Sequence, residues 1–85
     1  MASYQVTISK TAQKQLDKLS NDIADRLIKS IYRLANDPRP NGCKKLKGRD
    51  AYRIRSGDYR IIYQIFDKIL LIDVVAVGDR KDIYD

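Results

Sequence analysis

The sequence predicts an α+β fold with the element order β-α-α-β-β-β, in which a helical hairpin packs on one face of a mostly antiparallel sheet. The first half of the chain has helical periodicity, whereas the second half consists of alternating and apolar segments separated by short polar turns. The chain has 85 residues and shows neither a repeat nor a linker. We therefore expect residues 1–85 to form a single domain.

The first half is predicted to contain one strand and two capped helices. Residues 4–8 alternate between apolar and polar side chains, which is typical of a strand. Ser9 and Ser20 each precede apolar residues at helical spacing, so each is expected to cap a helix. Residues 37–42 contain two prolines and a glycine and are expected to stop the second helix. The apolar stripes are Ala12, Leu16 and Leu19 in the first helix and Ile23, Ala24, Leu27, Ile28, Ile31, Leu34 and Ala35 in the second.

The second half is predicted to contain three strands. They cover residues 51–55, 59–66 and 69–77, and the short turns between them indicate an antiparallel meander. The last strand is apolar on both faces apart from Asp73, which favours an interior position covered on both sides.

Positive charge is concentrated in one segment. Residues 44–60 carry seven of the chain's 17 positive charges against two acids, and the whole chain has a net charge of +6. Such a charge indicates an anionic partner, namely nucleic acid, an acidic protein or a membrane surface, and composition does not choose among these. Arginine together with tyrosine suits a surface that holds phosphates and stacks bases.

Strand alternation predicts where the arginines lie. Arg53 and Arg55 should project from the face of the sheet opposite the helices, and Arg60 on the adjacent strand can join them. Gly78 and Asp79 would end the last strand and turn Arg80 toward the same side.

Each of these side chains also has a simpler interpretation. Arg53 and Arg55 would then be the solvent side of an amphipathic strand, Arg60 would only pair with Asp58 or Asp79, and Cys43 would be a packing residue. The tyrosines of the strands (Tyr52, Tyr59, Tyr63) would be core aromatics, and Lys44, Lys45 and Lys47 a loop that steers anions by charge.

Several chemistries are excluded by composition. The chain has no histidine and one cysteine, so zinc-site spacings and histidine-based triads cannot be built, and its four glycines do not form a phosphate loop. We therefore expect no metal and no cofactor. RNA supplies its own nucleophile, the 2′-hydroxyl, so clustered arginines could promote cleavage without a metal. No signal peptide or membrane-spanning run is evident, and we expect a soluble cytoplasmic protein without a membrane partner.

Four segments together resemble the RelE/ParE toxins of bacterial toxin–antitoxin pairs, and the RelE side in particular. They are Lys45-Leu46-Lys47-Gly48, Tyr52-Arg53-Ile54-Arg55, Asp58-Tyr59-Arg60-Ile61-Ile62-Tyr63 and Val77-Gly78-Asp79-Arg80-Lys81-Asp82-Ile83-Tyr84. The resemblance implies an endoribonuclease that enters the ribosomal A site and cuts the codon there by 2′-hydroxyl attack, leaving a 2′,3′-cyclic phosphate. It also implies a RelB-like antitoxin that neutralises the toxin and represses their shared operon.

The resemblance assigns roles to particular residues. Its catalytic positions correspond to Arg53, Arg55, Arg60, Arg80 and Tyr84. Arg60 and Arg80 would hold the scissile phosphate, and Tyr84 would stack on or orient the nucleotide. The basic segment would contact ribosomal RNA through Lys44, Lys45, Lys47 and Arg49.

The family's proton acceptor has no obvious counterpart. RelE members can carry lysines where this chain has Arg53 and Arg55, and an arginine scarcely deprotonates. Either a ribosomal group serves as the base, or Arg53 and Arg55 act only through their charge. Two other functions remain open, a ParE-like inhibitor of DNA gyrase without nuclease activity and a module that only binds RNA or the ribosome.

Overall fold

The computed structural model describes residues 3–79, which contain two helices and five strands. In chain order these are β1 (Gln5–Ile8), α1 (Lys10–Asp17), α2 (Asn21–Arg33), β2 (Lys44–Lys45), β3 (Tyr52–Ser56), β4 (Tyr59–Phe66) and β5 (Leu71–Asp79). The predicted α+β fold is confirmed. The element order is confirmed as well, apart from β2, whose two residues the sequence predicts as a loop.

The five strands form one sheet in the order β1-β5-β4-β3-β2. The predicted meander is confirmed, because β4 pairs in antiparallel fashion with β3 on one side and β5 on the other. β1 runs parallel to β5, from Gln5 opposite Leu71 to Ile8 opposite Val74. β5 is therefore an interior strand, as its apolar sequence indicates.

Serine caps begin both helices, as predicted. The Oγ of Ser9 accepts a hydrogen bond from the Ala12 amide at 3.1 Å, and the Oγ of Ser20 accepts one from the Ile23 amide at 3.4 Å. α2 ends at Arg33, a few residues before the proline segment that was expected to stop it. Neither helix of the described residues has the length and apolar character that a membrane crossing requires.

Apolar side chains gather on both faces of the sheet. The larger cluster lies between the sheet and the helices and includes Leu16, Leu27, Ile31, Ile54, Ile61, Tyr63, Ile72, Val74 and Val77. A smaller one consists of Leu46, Ala51 and Ile62 on the opposite face, with the partly accessible Val75 and Ala76 packed against it. The prediction that β5 is covered on both faces is thus confirmed on the helix side. On the opposite face the strand is only partly buried, by the smaller cluster.

A β-bulge allows β5 to contribute to both clusters. Ile62 lies opposite Ala76, whereas the next residue, Tyr63, lies opposite Val74, so Val75 is the extra residue of β5. Val74 and Val77 consequently both point toward the helices although they are three positions apart.

The limits of β5 differ from the predicted range of 69–77. Ile69 and Leu70 belong to the turn after β4; Ile69 is 68% exposed and Leu70 has a φ of 53°. At the other end the strand continues because Gly78 pairs with Arg60, and Asp79 with Tyr59. Pairing to β4, rather than local apolarity, sets both ends of the strand.

Candidate nucleic-acid site

β3 presents arginines on the face of the sheet that the helices leave open. Tyr52 and Ile54 pack in or against the helix-side core, and Arg53 and Arg55 alternate with them and therefore project to the opposite side. This confirms the predicted separation of the apolar and basic side chains of β3.

The strand register places two like-charged pairs side by side on that open face. Arg55 lies opposite Arg60 across β3 and β4, and Arg53 lies opposite Lys44 across β3 and β2. Directly opposed residues of an antiparallel pair share a face, with Cβ atoms about 5 Å apart. We call Lys44, Arg53, Arg55 and Arg60 the basic cluster. Like charges at such positions destabilise a sheet, so their presence in two neighbouring pairs indicates a site for an anion.

Burial differs strongly within the basic cluster. Arg53 is only 7% exposed, Arg60 is half-buried, and Arg55 and Lys44 are exposed. The solvated-strand interpretation therefore fits Arg55 but is wrong for Arg53. A guanidinium is more weakly hydrated than an ammonium, which makes arginine the basic side chain best suited to a buried position.

Two cavities adjoin the basic cluster and share Lys44 and Arg53. One has a volume of about 300 Å³ and is lined by Asn41, Gly42, Lys44, Arg53, Ile54 and Arg55. The other, of about 280 Å³, is lined by Lys44, Lys45, Leu46, Lys47 and Arg53. The three predicted lysines of the basic segment thus line one cavity together with Arg53, and only Lys44 lies directly opposite Arg53 in the sheet. Arg49 is exposed in the following loop and lines neither cavity.

The basic segment begins as a strand rather than as a loop. Lys44 and Lys45 form β2, with Lys44 opposite Arg53 and Lys45 opposite Tyr52. Alternation along β2 places Lys45 on the side of the sheet that Tyr52 faces, away from Lys44. The loop interpretation is therefore wrong for these two lysines, because pairing to β3 extends the sheet by one short edge strand.

The other two predicted catalytic residues, Arg80 and Tyr84, lie outside the described residues. β5 is described through Asp79, the residue that precedes Arg80. The assignments of Arg80 and Tyr84 therefore stay predictions.

The strand tyrosines Tyr52, Tyr59 and Tyr63 pack in or against the helix-side core, which confirms their simpler interpretation as core aromatics. Tyr63 is fully buried, and its ring centroid lies 6.1 Å from that of Tyr52, with the two rings stacked. The hydroxyl of Tyr63 donates a 2.7 Å hydrogen bond to the Pro38 carbonyl. Burial, followed by the nearby Cys43, raises the pKa of Tyr63 above its ordinary value. Tyr63 therefore holds its proton and stabilises the loop after α2.

An electrostatic clamp that the sequence does not reveal holds the loop leading into β2. Asp67 in the β4–β5 turn accepts two hydrogen bonds from Arg39, at 2.9 and 3.3 Å, and one from the Tyr4 hydroxyl at 2.7 Å. The guanidinium carbon of Arg39 also lies 5.4 Å from the ring centroid of Tyr52. The hydrogen bond from Arg39, and then that from Tyr4, lowers the pKa of Asp67. Because Asn41 and Gly42 line the 300 Å³ cavity, this clamp helps to position one wall of the site.

A further cavity, of about 330 Å³, lies along α2 and has a different electrostatic character. Its lining combines two acids with three bases and one serine, namely Asp22, Asp25, Arg26, Lys29, Ser30 and Arg33. Its charges nearly balance, so it suits a polyanion less well than the cavities at the basic cluster do.

Comparison with known proteins identifies relatives along nearly the whole chain. Residues 6–84 match a family model described as the ParE toxin of the type II toxin–antitoxin system parDE. An Escherichia coli protein described as a RelE-like toxin is 34% identical over 96% of this chain and 90% of its own length. The mRNA interferase toxin RelE of Escherichia coli K12 is 32% identical over 93% of this chain and 85% of its own length.

A solved structure shares the fold as well. The crystal structure of the archaeal RelE–RelB complex from Pyrococcus horikoshii contains a chain that is 31% identical, with a TM-score of 0.82. The match covers 95% of the present chain and 99% of that one.

Proposed function

Since this chain belongs to the RelE/ParE superfamily of type II toxin–antitoxin toxins, as a RelE-like toxin, we propose that it is a ribosome-dependent endoribonuclease. It would cut mRNA at the codon in the ribosomal A site and so inhibit translation. The observation that carries the proposal is the basic cluster, whose opposed pairs Lys44–Arg53 and Arg55–Arg60 lie on the open face of the sheet. The name of the Escherichia coli relative, an mRNA interferase, supports the same activity.

The chemistry requires charge and positioning rather than a strong nucleophile from the protein. The 2′-oxygen of the ribose attacks the adjacent phosphorus, the bond to the 5′-oxygen breaks, and a 2′,3′-cyclic phosphate and a 5′-hydroxyl result. Negative charge accumulates on the nonbridging oxygens in the transition state, where arginines can donate paired hydrogen bonds. Arg53, Arg55 and Arg60 would supply this stabilisation.

The residues beyond the basic cluster would bind substrate and ribosome. Arg80 would join Arg60 on the scissile phosphate, and Tyr84 would stack on the nucleotide at the cut. Lys45, Lys47 and Arg49 are exposed and would contact ribosomal RNA, together with Lys44. Contacts of this kind with the sugar–phosphate backbone supply affinity that does not depend on base sequence.

A RelB-like antitoxin is the proposed protein partner. The solved archaeal relative is a complex of RelE with RelB, which supports a partner of this class. The antitoxin would cover the basic face or displace the C-terminal segment that contains Tyr84. Together with this toxin it would repress their operon.

The test is cleavage of a defined mRNA by the purified chain, with and without bacterial ribosomes that hold it in the A site. We expect cleavage that depends on the ribosome and leaves 2′,3′-cyclic phosphate ends. Arg60→Ala should lower the rate about 100- to 1000-fold, the usual cost of removing a donor that stabilises a transition state. Arg33→Ala is the matched control, because Arg33 is exposed on α2 and apart from the basic cluster.

A second candidate function is inhibition of DNA gyrase, because the matching family model carries the ParE name. A supercoiling assay with purified gyrase separates the two functions. Intact mRNA on the ribosome, together with impaired supercoiling, would contradict the ribonuclease proposal and support the ParE-like one.

A further inference from the structure

The basic cluster contains one side chain that can act as a proton acceptor. Its three arginines keep their protons under all ordinary conditions, because the guanidinium charge is delocalised. The amine of a lysine, in contrast, can exist in the neutral form and take a proton from a hydroxyl. Lys44 is the lysine of the cluster, and it is exposed.

The sheet register distinguishes Lys44 from the neighbouring lysines. Lys44 lies opposite Arg53 and thus on the face that carries Arg55 and Arg60, whereas Lys45 lies opposite Tyr52. Lys47 lines the 280 Å³ cavity but not the one that contains Arg55. A phosphate bound between Arg53 and Arg55 in the 300 Å³ cavity would therefore lie beside Lys44.

The strand tyrosines do not offer an alternative acceptor on this face. Tyr63 is buried on the helix side of the sheet, and Tyr52 and Tyr59 pack against the same core. Arg39, in the loop ahead of β2, is hydrogen-bonded to Asp67, and the backbone of Lys44 is placed by its pairing with Arg53 of β3.

We propose that Lys44 is the general base of RNA cleavage, an inference that rests on the proposed ribonuclease function. The neutral Nζ of Lys44 accepts the proton of the 2′-hydroxyl while the 2′-oxygen forms its bond to phosphorus. The electron pair of the breaking bond leaves on the 5′-oxygen, which takes a proton from water. Arg53 and Arg55 hold the phosphate, and Lys44 carries the proton transfer that they cannot perform.

The experiment measures single-turnover cleavage of a defined A-site codon on bacterial ribosomes, at saturating toxin and over a range of pH. Lys44→Arg keeps the positive charge but removes the proton acceptor, and we expect it to lower the rate about 100-fold. The concentration of toxin that half-saturates the ribosomes should stay unchanged. Lys68→Arg, the same substitution in the β4–β5 turn, should cut at the wild-type rate.

Restoration of activity by an added amine tests Lys44→Ala, because an amine would not restore a rate that was lost through loss of charge or of structure. Added ethylamine should restore part of the cleavage rate of Lys44→Ala, and more so at higher pH, where a larger share of the amine is neutral. Urea unfolding of each variant establishes that it folds as the wild type does.

The outcomes separate this inference from the function on which it rests. If the wild-type chain leaves the mRNA intact, the ribonuclease function fails and the assignment of Lys44 fails with it. If the wild type cuts and Lys44→Arg cuts equally fast, the function stands and Lys44 contributes charge alone. A folded Lys44→Ala that ethylamine does not restore would also overturn the inference.

Discussion

At the scale of single residues, position in the sheet distinguishes basic side chains that composition treats alike. Arg53 and Arg55 are two positions apart in the same strand, yet Arg53 is 7% exposed and Arg55 is exposed. Arg55 lies opposite Arg60, a like-charged arrangement that stabilises the folded chain less than a neutral pair would. Such a pair is consistent with the anion-binding role that we propose for this face, because the pair itself does not stabilise the sheet.

Replacing Arg55 should therefore separate stability from activity. We expect Arg55→Gln to raise the free energy of unfolding by about 0.2–1 kcal/mol at low salt, because it removes the repulsion with Arg60. The same variant should lower ribosome-dependent cleavage. Urea unfolding measures the first effect, with Arg33→Gln on the outer side of α2 as control. A lower stability for Arg55→Gln would contradict the repulsion that we infer.

At the scale of elements, contacts between distant segments shape the site. β2 exists because Lys44 and Lys45 pair with β3, and the loop before it is fastened by Arg39 and Asp67. α1 is similarly fastened to β5, where the Ser9 hydroxyl donates to the Val75 carbonyl at 3.0 Å and the Gln15 side chain accepts from the Val77 amide at 2.7 Å. These bonds satisfy backbone groups of β5 beyond its pairing with β1.

The clamp at Asp67 predicts a pH dependence of stability. The folded state lowers the pKa of Asp67, so the stabilisation is present above the unfolded value of about 3.9 and is lost as pH falls through the folded value. Asp67→Asn should therefore be less stable than the wild type at pH 7, and the difference should shrink below the unfolded value and vanish only once pH falls below the folded pKa of Asp67.

Urea unfolding between pH 7 and pH 2.5 tests this convergence. Asp58→Asn in the β3–β4 turn is the matched control, because Asp58 is also an exposed aspartate in a hairpin turn. A difference between wild type and Asp67→Asn that stays constant over this range would contradict the role of the Asp67 carboxylate.

At the scale of the whole molecule, charge is distributed unevenly over the two faces of the sheet. The chain has a net charge of +6, and the face away from the helices carries the basic cluster. The face toward the helices is occupied by the larger apolar core. A long anionic partner would consequently meet the open face first, because electrostatic attraction acts before contacts form.

The salt dependence of RNA binding measures how many basic side chains on this face contact phosphates of the RNA. For a single-stranded RNA oligonucleotide, each phosphate contact adds roughly 0.7 to the slope of log affinity against log salt concentration. Replacing both Lys47 and Arg49 by Gln should lower the slope by about 1.4 if each holds one phosphate. Replacing both Lys10 and Lys14 on α1 by Gln is the control. If the slope of the variant that lacks Lys47 and Arg49 stayed unchanged, these two residues would not belong to the binding surface.

Local patterns predict most of the secondary structure and the side on which the arginines lie. Ser9 and Ser20 cap helices in the structure as the sequence indicates, since a cap depends on neighbours within one turn. β4 spans the predicted residues 59–66, because its two turns limit it. The opposite faces of Tyr52 and Arg53 also follow from alternation alone.

The sequence by itself therefore determined the two helices, the strands other than β2, the meander and the face that carries Arg53, Arg55 and Arg60. Only the tertiary structure decided that Lys44 lies opposite Arg53 and that Arg39 holds Asp67. Residues that meet in these contacts are separated along the chain, and local periodicity contains no information about which distant segments pair. Burial of Arg53 has the same origin, because it depends on what the rest of the fold places around that side chain.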